Sequence, residues 1–141
     1  MQASIDTVER NVKMMNVWLK ETSQELGGID EDDAWRRLRA VLQTIRDRVT
    51  IDEAAHFAAQ LPILARGLFY EDWRPSESPQ KWRDRGEYLE AINAKISNDG
   101  AADPEETLRA VLKVIERHID AGEVEKVKEM HPKEMWDLWP S

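Results

Sequence analysis

The sequence of 141 residues contains no cysteine, which excludes disulfides, thiol nucleophiles and every cysteine-ligated zinc site. No apolar run approaches the roughly 20 residues that a membrane span requires. The opening stretch holds Asp6 and Glu9 where a secretory leader carries basic residues and then a long apolar run, so no export signal is expected and the reading is a cytoplasmic protein. Glycine-rich phosphate loops and nucleophile elbows are also absent. Gly27-Gly28 follows a helical pattern rather than a strand and reads as its stop. Basic side chains are outnumbered by acidic ones, 20 to 28, for a net charge of -8. Such a charge repels nucleic acid and anionic lipid unless a local basic patch intervenes, so neither is expected as a partner. The deficit is uneven, since residues 71–141 hold 11 basic and 17 acidic side chains.

The chain is nonetheless well supplied with core material. Apolar residues make up 41% and charged residues 34%, a balance that suits a folded chain with solvated helix faces. The length is that of one domain, taken as residues 1–141.

Leu-Arg-Ala-Val-Leu occurs twice, at Leu38 to Leu42 and at Leu108 to Leu112, and the offset of 70 extends without a gap in both directions. Leu19 falls on Leu89, Asp33 on Asp103, Ile45 on Ile115, Glu53 on Glu123, Pro62 on Pro132 and Leu68 on Leu138. A shared helical period alone explains neither a five-residue identity nor a matching proline, so the chain reads as a duplication. Half one spans 1–69, a crossover 70–83, and half two 84–141.

Each half reads as helices. Ile5, Val8, Val12, Met15, Leu19 and Leu26 recur at the spacing of one helical face. Tyr88, Leu89, Ile92 and Ile96 form a shorter counterpart, stopped by Asn98-Asp99-Gly100. A second helix opens at the acidic cluster Asp30 to Asp33, or at Asp103-Pro104-Glu105-Glu106, where carboxylates suit the positive helix end. Its core face is Leu38, Val41, Leu42, Ile45 and Val49, repeated as Leu108, Val111, Leu112, Ile115 and Ile119. Thr50-x-x-Glu53 and Asp120-x-x-Glu123 read as capping boxes of a third helix. Pro62 and Pro132 interrupt the chain again, and a short fourth helix follows each. The expectation is an all-α fold of about eight helices in two tandem, pseudo-symmetric four-helix halves. The crossover, with two prolines, two serines, Trp73 and Trp82, is expected to be non-helical yet strapped onto the helices.

Trp18-Leu19-Lys20-Glu21, Leu38 to Leu42, Gln60-Leu61-Pro62, Arg66 to Glu71 with Trp73 and Pro75, and the closing Leu138-Trp139-Pro140 together resemble domain-of-unknown-function family 2267 (DUF2267). The resemblance implies a small, all-helical, duplicated prokaryotic protein, and it carries over no substrate or catalytic residue.

No catalytic residue, cofactor or metal site is expected. Glu53-Ala-Ala-His56 has the Glu-x-x-His spacing of di-iron bundles, but the equivalent positions are Glu123 and Lys126, and an ammonium cannot ligate. Glu53 is already accounted for by the capping box, and His118 and His131 have no histidine counterpart. The most cationic features are Arg36, Arg37 and Arg39 with Arg46 and Arg48, and Arg74, Lys81, Arg83 and Arg85 around Trp73 and Trp82. From these, Arg36, Arg37, Arg39, Trp73, Arg74, Trp82 and Arg83 form the candidate anion or partner patch. The functional expectation is a non-catalytic protein-interaction or regulatory module. Its alternative is an enzyme or small-molecule binder with a site in the groove between the halves. The stripe Ile5, Val8, Val12 and Met15 has no counterpart in the second half. Docking onto that half is the expected cover, and self-association or a helical partner is the alternative.

Overall fold

The computed structural model of the chain describes residues 2–96 and 103–140. Seven α-helices follow in order: α1 Gln2–Glu25, α2 Glu31–Arg48, α3 Ile51–Ala59, α4 Ile63–Tyr70, α5 Arg85–Ile96, α6 Pro104–His118 and α7 Ala121–Glu129. Short 3-10 helices occupy Pro75–Glu77 and Lys133–Leu138. Helices account for 78% of the described residues, and no strand occurs among these, against about a third helix in an ordinary soluble domain. None of the helices is long and apolar enough to cross a membrane.

Local chemistry explains where the helices begin. The Asp30 side chain accepts from the amide of Asp33 at 2.8 Å, and Asp103 accepts from those of Glu105 and Glu106 at 3.0 and 3.3 Å. These bonds satisfy amides that have no partner within the first helical turn. At the far end of α1, Gly27 and Gly28 adopt φ of 84° and 88°, and the Gly28 amide donates to the Ser23 carbonyl at 2.8 Å. Left-handed residues of this kind close a helix, and glycine takes that conformation without steric penalty. The expected stop of α5 at Asn98-Asp99-Gly100 lies outside the described residues.

The capping boxes form only by half. Thr50 accepts from the Glu53 amide at 3.2 Å, and Asp120 from the amides of Gly122 and Glu123 at 3.0 and 3.3 Å. No return bond from either glutamate occurs among the described residues, and the Asp120 amide donates instead to Gln60 Oε1 at 2.9 Å. Neither glutamate is therefore accounted for by capping. The short helix expected after Pro132 is a 3-10 helix, Lys133–Leu138. Met135 and Leu138 are both buried, and three residues per turn place side chains at that spacing on one edge.

α2 occupies the middle, packed against α1, α4, α5 and α6, while α3 packs on α7. Side chains from all seven α-helices form a single hydrophobic cluster, with Trp73 and Trp82 of the crossover packed on it half-buried. The crossover is further tied down by the Gln80 amide, which donates to the Asp47 carbonyl at 2.7 Å. Buried polar side chains finish helix ends that the backbone leaves open. Gln43 Nε2 donates to the Leu68 carbonyl at 2.9 Å, and the Arg46 guanidinium to those of Phe69 and Glu71 at 2.9 and 2.8 Å, all at the C-terminus of α4. Arg66 does the same for α3, donating to the carbonyls of Ala58, Ala59 and Leu61.

Intramolecular cover of the N-terminal stripe does not occur. Met15 is buried, but Ile5, Val8 and Val12 are 51%, 62% and 45% exposed. The second half does not reach them, since α1 meets α6 through its C-terminal part, where Trp18 stacks on His118 and Glu21 and Glu25 pair with Arg117.

Candidate functional site

The candidate cationic residues separate into three groups. Arg36 and Arg37 both pair with Asp33, at 3.5 and 3.3 Å, and Arg37 also donates to Thr107 Oγ1 at 3.3 Å. Arg39 and Arg74 line one cleft of about 260 Å³ together with Arg46, Asp47, Asp72, Glu77 and Lys95. Its cations are already matched, Arg39 by Glu71 and Asp72, Arg74 by Glu77, and Arg46 and Lys95 by Asp47. Trp73 stacks on Tyr70 and donates its indole N–H to Ser78 Oγ at 3.0 Å, so it serves the crossover. Trp82 and Arg83 belong to a second cleft, of about 380 Å³, with Arg48, Pro79, Gln80, Lys81 and Pro132. No acidic residue lines it, and the side chains of Arg48, Lys81 and Arg83 form no ion pair among the described residues.

The family model described as "Uncharacterized conserved protein (DUF2267)" matches residues 15–138, nearly the whole chain. The chain belongs to the DUF2267 family. No curated protein matches the chain. The DUF2267 match begins at Met15, so the exposed apolar stripe of α1 lies ahead of it.

Glu53, His56 and Glu123 come together where α3 meets α7, within the DUF2267 match. A carboxylate oxygen of Glu53, one of Glu123 and a ring nitrogen of His56 lie within 4.8 Å of one another. The two glutamates are each only 6% exposed, and Oε2 of each has no hydrogen-bond partner among the described residues. His56 stands on the exposed side. The packing of α3 on α7 brings the two glutamates and a single histidine together without a second Glu-x-x-His motif. The available signal was the same acid at two positions 70 apart, each at the start of a helix.

Burial first, and then the facing Glu53 carboxyl, push the Glu123 pKa up to about 7. His131 is the opposite case. Its Nδ1–H donates to the Val127 carbonyl at 2.7 Å, which leaves Nε2 to accept from the Tyr88 hydroxyl at 3.0 Å. Burial pushes its pKa down to about 4, so the ring is neutral and serves packing. Burial likewise raises the pKa of Tyr88.

These shifts give opposite pH slopes. Between the ordinary value of 4.5 and about 7 the folded chain keeps the Glu123 proton and the unfolded chain has lost it, so this contribution to stability falls as pH rises. Between about 4 and the ordinary 6.5 the unfolded chain protonates His131 and the folded chain does not, so that contribution rises. Glu123→Gln is therefore expected to gain on the wild type as pH increases from 4.5 to 7, by on the order of 2 kcal/mol, and to gain nothing further above it. Chemical denaturation at several pH values, with chelator present, measures the difference. A pH-independent difference would show that the carboxyl titrates normally.

Proposed function

We propose that the chain is a cytoplasmic, non-catalytic interaction module that pairs with a second copy of itself through the N-terminal half of α1. The observation that carries this reading is the exposure of Ile5, Val8 and Val12 on one face of a helix otherwise anchored in the core. Their spacing of three and four residues is that of a coiled-coil seam. An antiparallel pair lets Val8 of one copy meet Val12 of the other, which is the two-fold arrangement of most homodimers. Nucleic acid is not a partner in this reading, which the net charge of -8 and the paired state of Arg36, Arg37 and Arg39 support. Removing residues 1–14, which leaves the buried Met15 in place, is expected to turn a dimer into a monomer in light scattering with little change in melting temperature. A wild-type monomer would refute the reading.

We also infer that the two halves arose by duplication. Support comes from features recurring at the offset of 70: the α2 and α6 faces, the caps at Thr50 and Asp120, and a side chain from position 66 or 136 that donates to the carbonyl of Leu61 or His131. The cleft of Arg48, Lys81, Trp82 and Arg83 favours a second reading, an anionic small molecule held between the crossover and Pro132. Binding of inorganic pyrophosphate, lost in Arg48→Ala with Arg83→Ala, would support it over a purely macromolecular role.

A further inference from the structure

We propose that Glu53, His56 and Glu123 form a binding site for one divalent transition-metal ion, zinc by its donor set, at the contact of α3 and α7. The site is separate from the α1 surface and extends beyond the interaction reading. Its first ground is geometry, since three potential donor atoms from two helices fall within 4.8 Å of one another. Glu53 and His56 reach one spot because residues three apart share a helical face, and the packing of α3 on α7 supplies Glu123.

The second ground is independent of that clustering. Each glutamate is more than nine-tenths buried, and each has an Oε2 with no hydrogen-bond partner among the described residues. Buried carboxylate oxygens are costly to leave without a donor or a cation. Two effects compensate in part: a hydrogen bond between the Glu53 and Glu123 carboxyls, which needs a proton on one of them, and the charge of Lys126, which stands where His56 stands in α3, is exposed and forms no ion pair with either acid among the described residues. Asp120 adds a further negative charge near Glu123 and is occupied in capping α7. His56 makes no hydrogen bond among the described residues, so its ring is free to turn inward.

One imidazole and two carboxylates make a mixed nitrogen and oxygen set. Magnesium and calcium take oxygen-only shells, whereas zinc accepts this set at about 2.0 to 2.2 Å. Tetrahedral donors at that radius stand about 3.4 Å apart, so groups that lie within 4.8 Å of one another draw together on binding. Two ligands are buried and the third faces solvent, which leaves the fourth position to water, as in zinc sites with three protein ligands.

Isothermal titration of the chelator-stripped full chain with zinc chloride, alongside thermal melts, tests the proposal. The expected result is one zinc per chain and a raised melting temperature, with magnesium chloride producing neither. His56→Ala, at an exposed position, is expected to weaken binding by about tenfold or more, and Glu53→Gln with Glu123→Gln to abolish it. His118→Ala is expected to leave it intact. No zinc-dependent rise in melting temperature, or binding to His56→Ala as tight as to the wild type, would overturn the proposal whether or not the double variant folds.

Discussion

Arg46→Met is expected to lower the unfolding free energy by about 3 to 5 kcal/mol, the usual loss when one partner of a buried charged network is removed. The guanidinium is almost fully enclosed and makes three bonds, to the carbonyls of Phe69 and Glu71 and to Asp47 Oδ1 at 2.8 Å. Methionine matches much of its length and apolar stem but supplies no donor. Phe69 is then left with a carbonyl at the end of α4 that lacks this partner, while Glu71 keeps Gln43 Nε2 at 3.3 Å and Asp47 keeps Lys95 at 3.4 Å. Arg46→Lys is expected to recover only part of the loss, because an ammonium does not reproduce the planar fork that reaches two carbonyls and a carboxylate. Arg36→Met supplies the contrast. Its single pair with Asp33 is solvent-exposed, and such pairs contribute about 0 to 1 kcal/mol. Urea denaturation of the three variants ranks them, and a loss below 1 kcal/mol for Arg46→Met would show that α4 does not depend on this cap.

The Arg46 case also marks the boundary between what is and is not legible in this sequence. Features settled within one or two helical turns could be read directly: the aspartate caps, the left-handed Gly27 and Gly28, the breaks at Pro62 and Pro132, and the buried face from Leu38 to Val49. Arg46, read among the cations of α2, caps a helix that begins 17 residues later. Its role depends on how α2 crosses α4, which hydrophobic periodicity does not specify. The same limit hid the acid pair. Thr50-x-x-Glu53 and Asp120-x-x-Glu123 fit a local motif that claims both glutamates, whereas packing turns both side chains toward each other. Exposure of the α1 stripe was undecidable locally for the opposite reason. An apolar face shows that cover is favourable, but not which surface lies within reach.

Trp18→Ala is expected to remove about 3 to 5 kcal/mol, the range for deleting a large buried aromatic side chain. The indole is fully buried on α1 and stacks on His118 of α6, with ring centroids 5.1 Å apart. The polar contacts beside it are peripheral. Glu21 meets Arg117 and His118 at 3.2 and 3.1 Å, and Glu25 meets Lys113 at 3.7 Å and also Arg117, but pairs this near solvent contribute about 1 kcal/mol or less each. Docking of α1 on α6 therefore rests chiefly on the apolar ring. Trp18→Phe separates burial from hydrogen bonding, because the indole Nε1 has no partner among the described residues. Phenylalanine gives up area and, with it, a buried donor that was never satisfied, and the second effect offsets part of the first. Trp18→Phe is thus expected to lose less than half of what Trp18→Ala loses, and Glu21→Gln to lose about 1 kcal/mol or less. Equal losses for Phe and Ala in chemical denaturation would place the energy in the specific stack on His118 rather than in burial of the ring.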